Sequence, residues 1–150
     1  MNEQPNPQST DRDKVFALHR AYLEANERID PRLLRGVWDE DPGNIFYNLN
    51  GFTYTGLAHW SRLWEYFSPR MEQIVPYTSY DQRAVIDGDV AWITASRFGE
   101  TRWIGTEPPP RADGPVVSRS TEVLVRTPDG WRVVHTHFSR GSLAPRPGDI

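Results

Sequence analysis

The chain contains no cysteine. That excludes a disulfide framework, a thiolate nucleophile and any cysteine-ligated metal. It also lacks a long apolar run; nothing approaches the roughly 18 residues that a membrane span needs. It lacks a clustered basic face. Its 17 Lys and Arg are scattered among 20 Asp and Glu, for a net charge of −3, which argues against a nucleic-acid surface. The first ten residues show no basic region followed by an apolar stretch, so they do not read as a signal peptide. A cytoplasmic protein without membrane or nucleic-acid partners is expected. No glycine-rich phosphate loop is present, and no Gly-x-Ser-x-Gly elbow.

What the chain does hold is aromatic surface. Six Trp, six Tyr and six Phe make up 12% of its 150 residues. A chain of this length builds one ordinary domain with a full core, and much of that core, or of a pocket in it, should be ring surface.

The pattern along the chain gives an order of elements. Residues 1–10 are polar and proline-bearing, a frayed tail. Val15, Leu18, Tyr22, Ala25 and Ile29 recur at steps of three and four, predicting a helix from about Asp11 to Arg28, capped by Thr10 or Asp11. Asp30-Pro31 opens a short second helix through Leu33, Leu34, Val37 and Trp38. Ile45 to Leu49 and Phe52 to Thr55 predict a hairpin around Asn50-Gly51. Leu57, Trp60, Trp64 and Phe67 mark another helix, stopped at Ser68-Pro69. Tyr77 to Ile86 and Val90 to Glu100 predict a second hairpin across Asp87-Gly88-Asp89. Residues 105–115, proline-rich, predict a loop. Arg119 to Arg126 and Trp131 to Ser139 close the fold as a third hairpin, and 143–150 is a proline-rich tail. Strands joined in sequence by hairpins, with helices on one face, mean an α+β domain on an antiparallel sheet, spanning residues 11–142.

The closing segment Asp129-Gly-Trp-Arg-Val-Val-His-Thr-His-Phe-Ser-Arg-Gly-Ser142 carries a resemblance. With the N-terminal amphipathic helix, the short second helix and the Asn-Gly hairpin, it resembles the nuclear transport factor 2-like superfamily. Within that superfamily it is similar to the SnoaL-like domains and to the association domain of calcium/calmodulin-dependent protein kinase II. The resemblance implies a cystatin-like fold, a curved sheet wrapped around a long N-terminal helix to leave a conical pocket. It also implies a homodimer or a larger ring. It leaves activity open, since the superfamily hosts isomerases, cyclases, dehydratases, transport adaptors and assembly hubs.

Several residues are candidates for the pocket. His135 and His137 fall on one strand face, because strand side chains alternate. They could ligate a metal, but no carboxylate is tied to them by spacing, so no metal and no cofactor are expected. For at least one of the two the resemblance favours a buried, hydrogen-bonded brace of the sheet, and His135 keeps only a weak pocket role. His137 has two readings, a structural brace or a pocket acid, base or hydrogen-bond donor. Arg97 shares parity with Ala91, Ile93, Ala95 and Gly99, where an unpaired guanidinium would be costly. It therefore pairs with an acid such as Glu122 or Glu100, or points into a wet pocket. With Arg119 it would form a clamp for a small carboxylate. Tyr47 and Trp64 are candidates for a hydroxyl contact and an aromatic wall. Asp81 and Glu122, the only mid-strand acids, are both weak candidates for a general base. The expectation is a pocket for a compact organic ligand, a carboxylate among the possibilities. Any turnover would be cofactor-independent proton transfer (isomerisation, cyclisation or elimination) with His137 as acid or base. The alternative is a non-catalytic homo-oligomeric association module.

Overall fold

A computed structural model describes residues 10–109 and 114–149. Most of the expected N-terminal tail, residues 110–113 of the expected loop and the final residue of the C-terminal tail lie outside the described residues.

Helix α1 spans Asp11–Arg28. Thr10 Oγ1 accepts from the Asp13 amide at 3.2 Å while Asp13 accepts from the Thr10 amide at 3.3 Å, a reciprocal cap that satisfies two otherwise orphaned donors. Val15, His19, Tyr22 and Ala25 form its buried stripe. The helix ends on Ile29 at φ 49°, a strained conformation for a β-branched residue. Pro31 then blocks continuation.

The second helix is shorter than expected. A 3-10 turn covers only Pro31–Leu34. Gly36, at φ 81°, breaks it, and the backbone that follows turns extended. The Val133 amide donates to Val37 O at 2.9 Å and the Asp39 amide to Val133 O at 2.9 Å. Val37 and Trp38 thus enter the core from a strand-like segment.

Six strands follow: β1 Ile45–Tyr47, β2 Thr53–Thr55, β3 Met71–Asp87, β4 Val90–Trp103, β5 Gly114–Thr127 and β6 Gly130–Arg140; helix α2, Gly56–Phe67, lies between β2 and β3. The sheet order is β2-β1-β6-β5-β4-β3. All neighbours are antiparallel except β1 and β6, which run parallel, so the sheet is mixed where an antiparallel one was expected. Hairpins alone cannot show how a first hairpin docks on a last strand, and here it docks parallel. The β1–β2 connection is also not a two-residue turn. Asn48 accepts from the Gly51 amide at 3.0 Å and its own amide donates to Phe52 O at 3.1 Å. Of the Asn-Gly pair only Gly51 has positive φ, whereas the tight turn needs it at both.

Two irregularities set the shape. β3 runs past its expected start at Tyr77 back to Met71. Its Pro76 is tolerated because β3 is an edge strand. Its register slips between Tyr80 and Arg83, with Asp81 at φ 53° in the slip. The other irregularity is in β6, where Leu124 pairs with Val133 but Val123 pairs with His135. Val134 is the extra residue of a bulge. Trp131 and Val133 before it, and Thr136 and Phe138 after it, therefore all turn inward, while His135 and His137 turn outward.

The core is a chain of rings between the helices and the inner sheet face. Tyr22 meets Trp38 at 5.6 Å, Trp38 meets Phe46 at 3.9 Å, Phe46 meets Trp60 at 5.0 Å and Trp60 meets Trp64 at 6.0 Å, centroid to centroid. All four pairs are tilted or edge-on, and ring quadrupoles favour the edge-on arrangement.

The start of α1 is fastened to the last hairpin. Arg126 grips Asp11 with two nitrogens at 2.9 and 2.7 Å, and Trp131 Nε1 donates to the same carboxylate at 3.2 Å. The Arg126 and Trp131 hydrogen bonds lower the Asp11 pKa from 3.8 to about 2. A depressed carboxylate contributes stability that is whole above its unfolded value and lost as pH falls through the folded one. The Asp11 contribution therefore disappears between about pH 4 and pH 2. Asp11→Asn should lower the thermal midpoint at pH 7, and the gap to the unmodified chain should close across that window. A gap that stays constant down to pH 2 would show that the contact adds no pH-linked stability.

Candidate functional site

Behind the ring chain lies a cavity of about 830 Å³, its open mouth included. Helix α2 supplies one wall with Trp60, Leu63, Trp64 and Phe67. The sheet supplies the other with Tyr77, Arg97, Val116, Ser118 and Phe138, and Asn26, Ile29, Asn48 and Asn50 stand around it from α1 and the β1–β2 loop. Local sequence explains the room. Gly99 leaves the inner face of β4 bare, and the Tyr77 ring occupies that place; a Cβ at Gly99 would stand 2.4 Å from the ring.

Arg97 is 3% exposed. Its Nη2 donates to Glu122 Oε1. Its guanidinium carbon lies 5.1 Å from the Tyr22 centroid and 5.0 Å from that of Phe138, close enough for attraction to both rings. The register shows how so long a side chain fits. Arg97 pairs with Ser118 and Ile93 with Glu122, and the row between them is Ala95 and Ser120. Two small residues leave the channel through which Arg97 reaches Glu122.

Glu122 is fully buried. Its second oxygen faces His19 Nδ1 at 2.7 Å, and His19 Nε2 faces Ser79 Oγ at 2.8 Å. A carboxylate only accepts, so Nδ1 carries the hydrogen of the first contact. Burial pushes the Tyr22 phenol well above its ordinary range, and the nearby Arg97 charge opposes that shift. Arg97 Nε and Trp60 Nε1 are buried without a hydrogen-bond partner among the described residues. Both belong to residues that line the cavity.

The expected site residues divide between the two faces of the sheet. Arg97 and Trp64 line the cavity. Arg119, His137 and Tyr47 do not. Arg119 pairs with Ser96 and Ser139, one register step from Arg97, and so faces outward. The two-arginine clamp therefore does not form. His137 follows the β6 bulge outward and is exposed, which removes it as acid or base of the inner pocket. Tyr47 is 43% exposed and packs edge-on against His135 and His137 at 5.4 and 5.1 Å. His135 Nδ1 donates to Ile45 O at 2.6 Å, a brace between β6 and β1. Asp81 is exposed in the β3 irregularity. No group of three or more His, Cys, Asp or Glu among the described residues could hold a metal. The residue that sequence reasoning passed over is His19. Its signal was its place four residues after Val15 and three before Tyr22, on the buried stripe.

Removing one partner from a buried ion pair strands the other charge, at about 3–5 kcal/mol. Arg97→Met should therefore destabilise the chain in urea unfolding by up to that amount, since His19 still holds one Glu122 oxygen. The triple change His19→Leu, Arg97→Met, Glu122→Leu should regain most of the loss, since apolar replacement of a whole buried cluster is near neutral. A triple variant less stable than the single one would contradict the stranded-charge account.

Comparison with known proteins agrees with this architecture. The family model of the SnoaL-like domain matches residues 15–143, so the chain belongs to the SnoaL-like domain family. No curated protein matches the chain. Among solved structures, it is similar to a candidate dehydratase of the nuclear transport factor 2-like family from Streptomyces avermitilis, at 23% identity and TM-score 0.70 over 89% of this chain and 97% of that one. It is similar to a ketosteroid isomerase-like protein from Erwinia carotovora, at 14% identity and TM-score 0.69 over 88% and 95%. A candidate calcium/calmodulin-dependent protein kinase type II association domain from Thiobacillus denitrificans aligns at 21% identity and TM-score 0.60 over 85% and 94%. At these identities the likeness is one of fold. No helix among the described residues is long and apolar enough to cross a membrane.

Proposed function

We propose that this SnoaL-like domain binds a compact, ring-bearing organic molecule in the cavity between its helices and the inner sheet face, with Arg97 and Trp64 as contacts. The observation that carries the reading is the pair of unpartnered buried donors, Arg97 Nε and Trp60 Nε1, on residues bordering an aromatic-walled cavity. Unsatisfied buried donors are costly, and a ligand oxygen, carbonyl or carboxylate, would relieve them. Apolar walls with a few polar groups are the usual makeup of a small-molecule site.

The chemistry favours binding over proton abstraction. Among the described residues, the lining holds no Asp, Glu or His. The nearest acid–base pair, His19 and Glu122, stands behind Arg97. The named dehydratase and isomerase relatives supply an analogy of fold, and turnover does not follow from it.

A thermal-shift screen of small aromatic carboxylates, ketones and amides tests the reading. A true ligand at about one hundred times its Kd should raise the melting temperature by about 5–10 °C. Val116→Trp, which fills the cavity without touching the ion cluster, should abolish that shift. Equal shifts in both proteins would place the ligand elsewhere.

A second reading concerns assembly. The outer sheet face carries Val85, Trp92, Val123, His135 and Ile45 in one row across the strands. Ile45, Val85 and Trp92 are each about two-fifths exposed, at 40, 45 and 39%. A row of this kind, apolar except at His135, suits a partner surface, and a second copy supplies a self-complementary one. Light scattering should then give twice the monomer mass, and Trp92→Glu should give the monomer. A monomeric unmodified chain would end this reading.

A further inference from the structure

Three charged or titratable groups meet behind the cavity wall, each from a different element. Glu122 of β5 holds His19 of α1 and Arg97 of β4. Tyr22, one turn along α1, lies under the guanidinium. Among the described residues, the contacts that the other elements make with the cluster are uncharged: β3 brings Ser79 to His19 and β6 brings Phe138 to Arg97.

The cluster has a simple charge balance. With a neutral imidazole, Arg97 cancels Glu122. A ligand carboxylate set against Arg97 would leave one uncompensated negative charge in a buried site, which is expensive. One proton on His19 restores neutrality.

The imidazole is held so that it can take that proton without rearrangement. Nδ1 donates to Glu122 in either state. Nε2 stands 2.8 Å from Ser79 Oγ, and a hydroxyl can both donate and accept. Ser79 donates to the bare nitrogen of the neutral ring. It accepts from Nε2–H of the imidazolium. Only its O–H bond has to turn.

Resting on the cavity reading above, we infer that His19 decides how the cavity meets an anion: an organic carboxylate binds at Arg97 together with one proton taken from solvent onto His19 Nε2, and a neutral carbonyl ligand binds without one. His19 and Ser79 are then positioning residues that set specificity by charge, and the site prefers carboxylates as pH falls.

The test uses the full chain with benzoate and benzamide as probes. Calorimetry in two buffers of different ionisation enthalpy counts the protons taken up. Benzoate should take up close to one, and its Kd should rise with pH, by about tenfold per pH unit wherever the uptake is close to one. Benzamide should take up none. His19→Gln, which keeps an N–H for Glu122, should remove the uptake and flatten the pH profile. Ser79→Ala deprives the imidazolium of its acceptor and should weaken benzoate more than benzamide, and it serves if the His19 variant does not fold. Benzoate binding without proton uptake overturns the inference. So does binding of benzamide with no benzoate binding down to pH 5, and in both cases the cavity reading stands. Binding of neither probe overturns the cavity reading as well.

Discussion

The interaction on which the rest of this structure depends is the burial of the Glu122 carboxylate. An acid with no exposed surface in the middle of a sheet must have its oxygens met by donors, because a buried polar group left without a partner is costly. Here each oxygen has one donor, from Arg97 on the neighbouring strand and from His19 on the helix across the core. Those two contacts constrain different things. The Arg97 contact draws a long side chain along the sheet, over Ala95 and Ser120, and so decides what the cavity wall presents. The His19 contact sets the rotation of α1 against the sheet, because only one stripe of the helix can hold an imidazole within reach of that oxygen. A cluster of this kind is weak evidence of stability. It is better understood as fixing one arrangement of helix and sheet among the many that an aromatic core would tolerate.

The rings explain why an arrangement has to be fixed. Tyr22, Trp38, Phe46, Trp60 and Trp64 touch in sequence from α1 to α2. Large flat side chains bury much area but leave gaps where they meet at an angle. The cavity is such a gap, bounded by α2 on one side and, on the other, by inner-face side chains of the sheet such as Tyr77, whose ring packs on Gly99. Packing and pocket are the same surface here, so the polar cluster that orients the helix also orients the pocket wall.

How much of this was legible in the sequence depended on whether local pattern or long-range docking decided it. The span of α1, its cap at one of Thr10 and Asp11 (Thr10 in the structure), and the helix expected over 57–67 follow from periodicity and capping residues. The parity of β4 puts Arg97 among small and apolar residues, which leaves it Glu122, Glu100 or a wet pocket as partner, and the structure selects Glu122. Other features depended on contacts that no local pattern encodes. Residues 35–38 read as helix because Val37 and Trp38 fall at helical spacing, yet β6 recruits them as extended chain. The parallel docking of β1 on β6 has no sequence signal at all. His19 was hidden by its type. A histidine on a helix surface is ordinary, and only the buried neighbours at positions 15, 22 and 25 show that this one faces the core.

The single inserted residue at Val134 had the largest consequence for the site. In a regular strand Trp131, Val133, His135 and His137 share one face. Since Trp131 must be inside, both histidines would then stand inside as well. The bulge reverses this after Val133 and gives the inner face Thr136 and Phe138 in their place. Phe138 now lies against Arg97, where an imidazole beside a guanidinium would have met a like charge on protonation. The histidine pair is moved to the outer face, against Tyr47 and the backbone of β1, where it ties two strands together. A one-residue slip thus separates two jobs that the sequence places side by side. The outer histidines hold the β1–β6 seam, and among the described residues His19 is the imidazole linked to the cavity wall, through Glu122 and Arg97. That separation leaves one buried histidine, and not the outer pair, in the chain of contacts that reaches the inner cavity wall.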